Sequence, residues 1–292
     1  MPIGVITGNV RGSLFALAAA AVFTVASALV KIATKDYHVW EILLFRQLTM
    51  LVFVLPMLFH NFPANLKTKR PGTHLLRLIS AFTALSLSFV AVAHLPLATA
   101  ISFSFTKTLF ASILAGFVLK ETVGWRRTIA IVLGFAGILI ILRPGLDSAA
   151  SYYGVLATIS ALGAGLSVVC IRSMAATEST STLLGYQAIF IAVMVFVPCY
   201  FVWKTPDFLG LVVLFSIGVT SFLAQWLGML SYRAGEISVV TGMEYSKLIY
   251  AVFIGIFVFS EWPDAATLLG ALIIVGSSAF TIWRENRVIS GL

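Results

Sequence analysis

Apolar residues run along this chain in ten long blocks separated by short polar breaks. The blocks cover roughly residues 12–33, 41–59, 75–94, 97–119, 127–143, 153–173, 183–203, 208–231, 236–259 and 265–283. A helix that crosses a bilayer needs about 20 predominantly apolar residues, and blocks of this length predict ten membrane spans. On that figure ten spans use roughly 200 residues and leave about 90 for loops and termini. No soluble domain fits between them. The first block is too long for the core of a signal peptide and is followed by nine more, so it is expected to be a retained helix.

Composition supports the pattern. Of the 292 residues, 60% are apolar and only 10% are Asp, Glu, Lys or Arg, against about 25% charged in an ordinary soluble domain. Disorder is excluded as well, because it needs low hydrophobicity. The net charge of +8 changes the picture through topology rather than nucleic acid, since Lys and Arg collect on cytoplasmic loops. Lys67, Lys69, Arg70 and Arg77 form the densest basic cluster, between spans 2 and 3. Placing that cluster inside puts both termini inside. Arg11, Lys120, Arg126, Arg127, Arg172, Arg233, Arg284 and Arg287 then also fall inside, twelve in all. Lys31, Lys35, Arg143 and Lys204 fall outside, with Arg46 a little inside span 2, five in all. This orientation predicts a multi-pass protein of the cytoplasmic (inner) membrane.

The two halves of the chain resemble each other. Glu121 and Glu261 are 140 residues apart, and at that offset Lys107 falls on Lys247 and Phe117-Val118 on Phe257-Val258. Arg11-Gly12-Ser13-Leu14 precedes span 1 as Tyr153-Gly154-Val155-Leu156 precedes span 6, at an offset of 142. Arg46 matches Gln187 at 141. Two five-span repeats, residues 1–145 and 146–292, are therefore expected. An odd number of spans inserts the second copy upside down, the arrangement of many secondary transporters, whose substrate site lies near the bilayer midplane between the halves. The charges after the paired glutamates agree: Trp125-Arg126-Arg127 follows the first, Trp262-Pro263-Asp264 the second.

Several local motifs complete a family resemblance. They are Arg11-Gly12-Ser13-Leu14, Leu44-Phe45-Arg46, His94-Leu95-Pro96-Leu97-Ala98, Lys120-Glu121, Ser260-Glu261, and Gly134-Phe135-Ala136-Gly137 followed by Arg143-Pro144-Gly145. With these the chain resembles the drug/metabolite transporter superfamily, in its branch with two EamA repeats of five helices each, over about residues 11–284. The resemblance implies an all-α, basket-like bundle of ten helices whose central cavity opens alternately to each side. It also implies a small-molecule cargo: members move amino acids, drugs, nucleotide-like metabolites and vitamins, many outward and some inward. Many relatives carry proline where this chain carries Lys107 and Lys247.

Those two lysines are the most individual feature of the spans. A lysine at the centre of a membrane helix costs about 2.5–3.5 kcal/mol on the insertion scale, so each must face protein or water. Glu244 lies three residues before Lys247, on the same helical face. Thr241, Glu244, Lys247, Ala251 and Gly255 form one face of span 9, and Ile101, Ser104, Lys107, Ala111 and Ala115 the matching face of span 4. Small residues allow close helix approach, so the two spans are expected to cross at the repeat axis with both lysines near the cavity. Lys107 and Lys247 would bind a carboxylate or phosphate of the cargo or relay protons; the competing reading is a Lys247–Glu244 ion pair that serves packing alone.

Further candidates for the lining are Ser104, Gln225, Arg46, Trp226 and Tyr245. Arg46 has the alternative of snorkelling outward or pairing with Glu41. Lys31 reads as an anchor at the end of span 1. Glu121 and Glu261 end spans 4 and 9, where a carboxylate opposes the helix dipole. Each is expected to need a local partner, as a structural loop-fixer or a gate. Cys170 and Cys199 lie in apolar blocks without metal-ligand spacing and read as small buried hydrophobes.

Missing features narrow the function. All four histidines lie in loops or at span ends, so no metal site is expected, and no cofactor. No phosphate-cradling loop exists to couple ATP, and no protease-like constellation lies within the spans, so an enzyme is not expected. The leading expectation is a secondary transporter, acting as a monomer and open to proton coupling. Its cargo would be amino acids or related carboxylate-bearing metabolites moved outward. The alternative transport reading is uptake of a nucleoside-like or cationic metabolite such as S-adenosylmethionine, held by Glu244 and aromatic residues. A reading of another class is a non-transporting scaffold or accessory subunit.

Overall fold

The computed structural model describes residues 3–59, 68, 70–118, 125–142, 148–174, 177–234 and 242–289. The described residues form helices and connecting turns, with no strand among them. In chain order the helices are α1 (Ile3–Ala33), α2 (Val39–Phe59), α3 (Pro71–His94), α4 (Leu97–Phe105), α5 (Lys107–Val118) and α6 (Trp125–Leu142). The second half continues with α7 (Ser148–Met174), α8 (Thr180–Val202), α9 (Phe208–Ala234), α10 (Ser246–Phe259) and α11 (Ala265–Ile289). Eight stretches are long and apolar enough to cross a membrane, counting Leu97–Phe117 as one, and two shorter apolar helices, Ile131–Leu142 and Ala265–Ser277, accompany them. These ten elements fall on the ten blocks of the sequence. Bilayer-spanning backbone must satisfy its polar groups internally, which is why helices carry the whole fold.

Two expectations of boundary are corrected. Span 4 is not continuous: the helix breaks at Thr106, whose N–H turns back to the Phe103 and Ser104 carbonyls. Span 9 breaks likewise at Tyr245, and α10 starts immediately after it. Arg77, counted above with a cytoplasmic loop, belongs to α3 and is 1% exposed. Its guanidinium donates to the Leu183 carbonyl at 3.0 Å and to Gln187 Oε1 at 2.9 Å, so it packs α3 against α8.

The main packing pairs join a helix before residue 145 to one after it. α1 lies along α9, α3 along α7, α2 along α8 and α6 along α11. Glycine allows the closest of these approaches. A Cβ on Gly270 would lie 2.7 Å from the Gly137 carbonyl oxygen, and one on Gly137 would lie 2.9 Å from the Gly270 oxygen. The backbones of α6 and α11 therefore touch. On α7, a Cβ on Gly163 would meet the Ser80 carbonyl of α3 at 2.9 Å, and one on Gly165 the Lys107 carbonyl of α5 at 2.9 Å. The start of α5, where Lys107 sits, is thus seated directly on α7.

Outside the spans, Asp207 caps the start of α9. Its Oδ1 accepts from the Gly210 N–H at 2.8 Å and from the Tyr37 hydroxyl at 3.1 Å, tying the α1–α2 turn to α9. The Gly210 N–H, and after it the Tyr37 hydroxyl, holds the Asp207 carboxyl below its ordinary range. A carboxyl depressed on folding stabilises the fold above its unfolded value and loses that contribution as pH falls through the folded one.

The Gly137–Gly270 contact generates a prediction. Gly270→Ala forces a methyl against backbone that cannot yield, and overpacking of this kind costs about 1–3 kcal/mol. The expected outcome is a lower thermal midpoint of the purified protein in detergent. Gly228→Ala, whose Cβ would meet nothing within 4 Å, is expected to melt with the parent protein.

Candidate functional site

The broken spans bring the two lysines to equivalent places. Lys107 is the first residue of α5, and Lys247 the second of α10. Each therefore stands in the first turn of a half-helix, where the macrodipole favours an anion and opposes an ammonium. α4 packs against α10, but the small residues Ala111 and Ala115 of the span-4 face lie on α5 and pack against Val169 of α7.

Lys107, Lys247, Glu244 and Gln225 line one cavity of about 300 Å³, which is partly open. This is the lower end of the range for small-molecule sites. Its wall on α1 is Ala16, Ala19, Ala20 and Phe23, one helical stripe. α9 supplies Ala224, Gly228, Met229 and Ser231 beside Gln225, and α8 adds Leu184. The small residues make the space, and the charges stand on one side of it.

Charge in the cavity is unevenly paired. Lys247 Nζ donates to Glu244 Oε2 at 2.8 Å. The same ammonium lies over the Phe23 ring, 5.0 Å from its centroid, a cation–π arrangement worth more when desolvated. Lys107 makes no hydrogen bond or ion pair with a described residue, and it repels Lys247 across the cavity. Among the described residues of the lining, two ammonium groups therefore face one carboxylate. Chemically the site is complementary to an anionic group at Lys107, and to a cationic or aromatic group where Glu244 and Phe23 meet.

The other predicted lining residues are elsewhere. Arg46 is 6% exposed and does not border the cavity. It donates to Gln47 Oε1 at 2.6 Å and lies 6.0 Å from the Phe89 ring centroid, so it neither snorkels nor pairs with Glu41. The Ser104 hydroxyl is used by the helix itself, donating to the Ile101 carbonyl at 2.6 Å. Trp226 is 47% exposed and is not part of the lining. Tyr245 sits at the break before α10 and packs on Phe105, ring centroids 5.2 Å apart. Cys170 and Cys199 are free and buried.

Glu261 is partnered, but by residues distant in the sequence. Its carboxylate pairs with the Lys31 ammonium and also accepts from the Leu97 N–H at 2.9 Å. Glu121 lies outside the described residues. Sequence reasoning missed Phe23, although Ala16, Ala19, Ala20 and Phe23 recur at helical spacing and would have marked that face of α1. It also missed Lys31 as the partner of Glu261, because 230 residues separate them.

Comparison with known proteins gives these residues a family. Residues 10–143 match the EamA-like transporter family. The chain is 31% identical over 255 residues to an S-adenosylmethionine uptake transporter of Rickettsia felis, covering 87% of this chain and 86% of that one. It is 29% identical to a riboflavin transporter of Vibrio cholerae, covering 95% of each chain. It is 30% identical to a pseudopaline exporter of Pseudomonas aeruginosa, covering 90% of this chain and 93% of that one. A solved crystal structure superposes with a TM-score of 0.64 at 13% identity, covering 96% of this chain and 98% of that one, which shows a shared fold. The chain is thus a multi-pass secondary transporter of small metabolites in the cytoplasmic membrane and not an enzyme, and it belongs to the EamA-like transporter family.

Proposed function

We infer that this transporter carries a metabolite with an amino-acid end, S-adenosylmethionine first among them, through the cavity bounded by Lys107, Lys247, Glu244 and Phe23. The observation that carries the reading is the pairing pattern: one ammonium without a partner among the described residues, beside a Lys–Glu pair on an aromatic face. An α-carboxylate matches Lys107. An α-ammonium or sulfonium matches Glu244 and Phe23, where it replaces the Lys247 ammonium. Lys247 is then released to share the carboxylate with Lys107. Similarity to the S-adenosylmethionine uptake transporter supports this cargo.

The transport cycle we propose alternates access by rocking residues 1–145 against 146–292 as two inverted repeats, with both termini cytoplasmic. The packing order supports it. A twofold that exchanges the repeats turns the α1–α9 pair into the α7–α3 pair and maps α2–α8 and α6–α11 onto themselves. The cavity lies between those halves, with α1, α5, α8, α9 and α10 around it.

A second reading, export of an amino acid or related carboxylate-bearing compound, draws on a different observation. Two ammonium groups against one carboxylate favour a cargo of net negative charge, and the pseudopaline transporter is an exporter.

The test is flux into proteoliposomes with labelled S-adenosylmethionine, challenged by adenosine compounds, amino acids and riboflavin. The expected result is competition by S-adenosylhomocysteine and methionine analogues, and none by riboflavin. Competition by dicarboxylic amino acids alone favours the second reading. Lys107→Ala and Lys247→Ala are each expected to lower flux at least about tenfold, the effect of losing one charge-assisted contact of roughly 1.4 kcal/mol or more. Normal flux in both variants removes the lysines from the site. Gly228→Trp, directed into open cavity space, is expected to abolish flux while the protein stays monodisperse. Trp226→Ala is expected to keep it.

A further inference from the structure

The end of the bundle beyond Lys247 is held by a cluster that the substrate site does not use. The Lys31 ammonium, at the last turn of α1, pairs with the Glu261 carboxylate. It also donates to the Leu95 carbonyl at 2.7 Å and lies 5.3 Å from the centroid of the Phe259 ring. Glu261 accepts from the Leu97 N–H at 2.9 Å through its other oxygen. Leu95 is the cap residue that ends α3, and Leu97 opens α4. Pro96, between them, has no side chain able to cap α4. Lys31, on α1, and Glu261, just past the end of α10, therefore supply the cap that the α3–α4 junction lacks.

Glu261 is aimed by a strained turn. Ser260 adopts a left-handed conformation, φ 56°, uncommon for a residue with a Cβ. That turn lets the Ser260 N–H reach the Gly255 and Ile256 carbonyls, and the Glu261 N–H reach the Gly255 oxygen at 2.8 Å. The chain thus folds back over the end of α10, and the carboxylate points to α1 and α4.

Position gives the cluster its meaning. On α1 it lies eight residues past Phe23, at the other end of α10 it follows Phe259, twelve past Lys247, and Leu97 stands ten before Lys107, across the break at Thr106. At 1.5 Å per residue it is about 12–18 Å from the cavity, on the same side of it. Val30, Ile101, Phe103, Ile217 and Ala251, from helices that run between cavity and cluster, are buried in one hydrophobic core. The cavity lining runs the opposite way, toward Ala16, Leu184 and Ser231.

We propose that Lys31 and Glu261, with the Leu95 carbonyl and the Leu97 N–H, form a latch that closes one mouth of the transport path and must open for the cavity to reach that face. This rests on the alternating access proposed above and not on the identity of the cargo. Separating α1 from α10 breaks the ion pair and uncaps α3 and α4 together. The closed state is thereby favoured as a unit, and the latch opens in one step.

The test reads accessibility and needs no substrate, so its failure is distinct from a wrong cargo. Gly228→Cys is reconstituted in oriented proteoliposomes and labelled from each face in turn with a membrane-impermeant thiol reagent. The protein without that cysteine measures the background from buried Cys170 and Cys199. With the latch intact, labelling is expected from one face only. Lys31→Met and Glu261→Gln are each expected to raise labelling from the other face about tenfold, a population shift of about 1.4 kcal/mol. The double variant is expected to add little, because both changes remove the same contact. Lys31→Arg, which keeps the charge and the donor, is expected to stay closed.

Three results overturn the latch. One is unchanged labelling in both single variants. Another is an equal rise from both faces, which is local unfolding rather than opening. The third is opening by Lys31→Arg as large as by Lys31→Met.

Discussion

A charged group cannot stand alone in hydrocarbon, and most of the polar architecture of this protein answers that constraint. Lys247 answers it with Glu244 and the face of Phe23. Lys31 does so with Glu261 and a carbonyl. Arg77 uses neutral acceptors, the Leu183 carbonyl and Gln187, and Arg46 uses Gln47. Lys107 is the exception among them: it faces the cavity and has no described partner. On the reading proposed above, a cation without a partner among the described residues is the one offered to cargo, and the paired cations hold the bundle.

The second constraint is backbone hydrogen bonding. An interruption of a membrane helix is tolerated where it borders protein or a water-filled cavity. Spans 4 and 9 are interrupted at Thr106 and Tyr245, one and two residues before the respective lysines. Relatives with proline at the lysine positions would break there for want of an N–H and by steric clash. This chain breaks without proline, so tertiary packing, Gly165 against the Lys107 carbonyl included, sustains the interruption. Lysine at these two positions puts a charge at the start of each half-helix, on the wall of the cavity.

The ten blocks were legible because a bilayer imposes length and apolarity on every span, and both are written in consecutive residues. The pairing of Lys247 with Glu244 was legible because three residues on a helix share a face. The helix breaks were not, since Phe105-Thr106-Lys107 and Glu244-Tyr245-Ser246 contain neither Gly nor Pro to mark them. Nor was the placement of Arg46, Trp226 and Tyr245. A polar or aromatic residue within a span points into the cavity, into a helix contact or outward according to the rotation of its helix, and an all-round apolar sequence leaves that rotation unspecified. Lys31 shows the same gap from another side: a position at a span end permits an anchor or a latch, and only the fold brings Glu261 to it.

α10 joins the two polar centres. Its first turn carries Lys247, and the residue after its left-handed cap is Glu261. A helix of this length is stiff, so a displacement at one end is carried to the other rather than absorbed. Cargo that takes Glu244 from Lys247 changes what holds the start of α10, while the latch fixes its far end to α1 and to the α3–α4 junction. Any preference of the cargo for one state of the latch must appear as an equal preference of the latch for one state of cargo occupancy, because binding free energies are reciprocal. The latch need not touch the cargo to be coupled to it. α1 closes the circuit, since Phe23 borders the cavity under Lys247 and Lys31 holds Glu261 two turns further along the same helix. α1 and α10 thus meet at two charged contacts, Lys247 over Phe23 and Lys31 with Glu261 just past α10, and in the proposed latch the opening of one mouth releases the outer contact while the inner one exchanges partners.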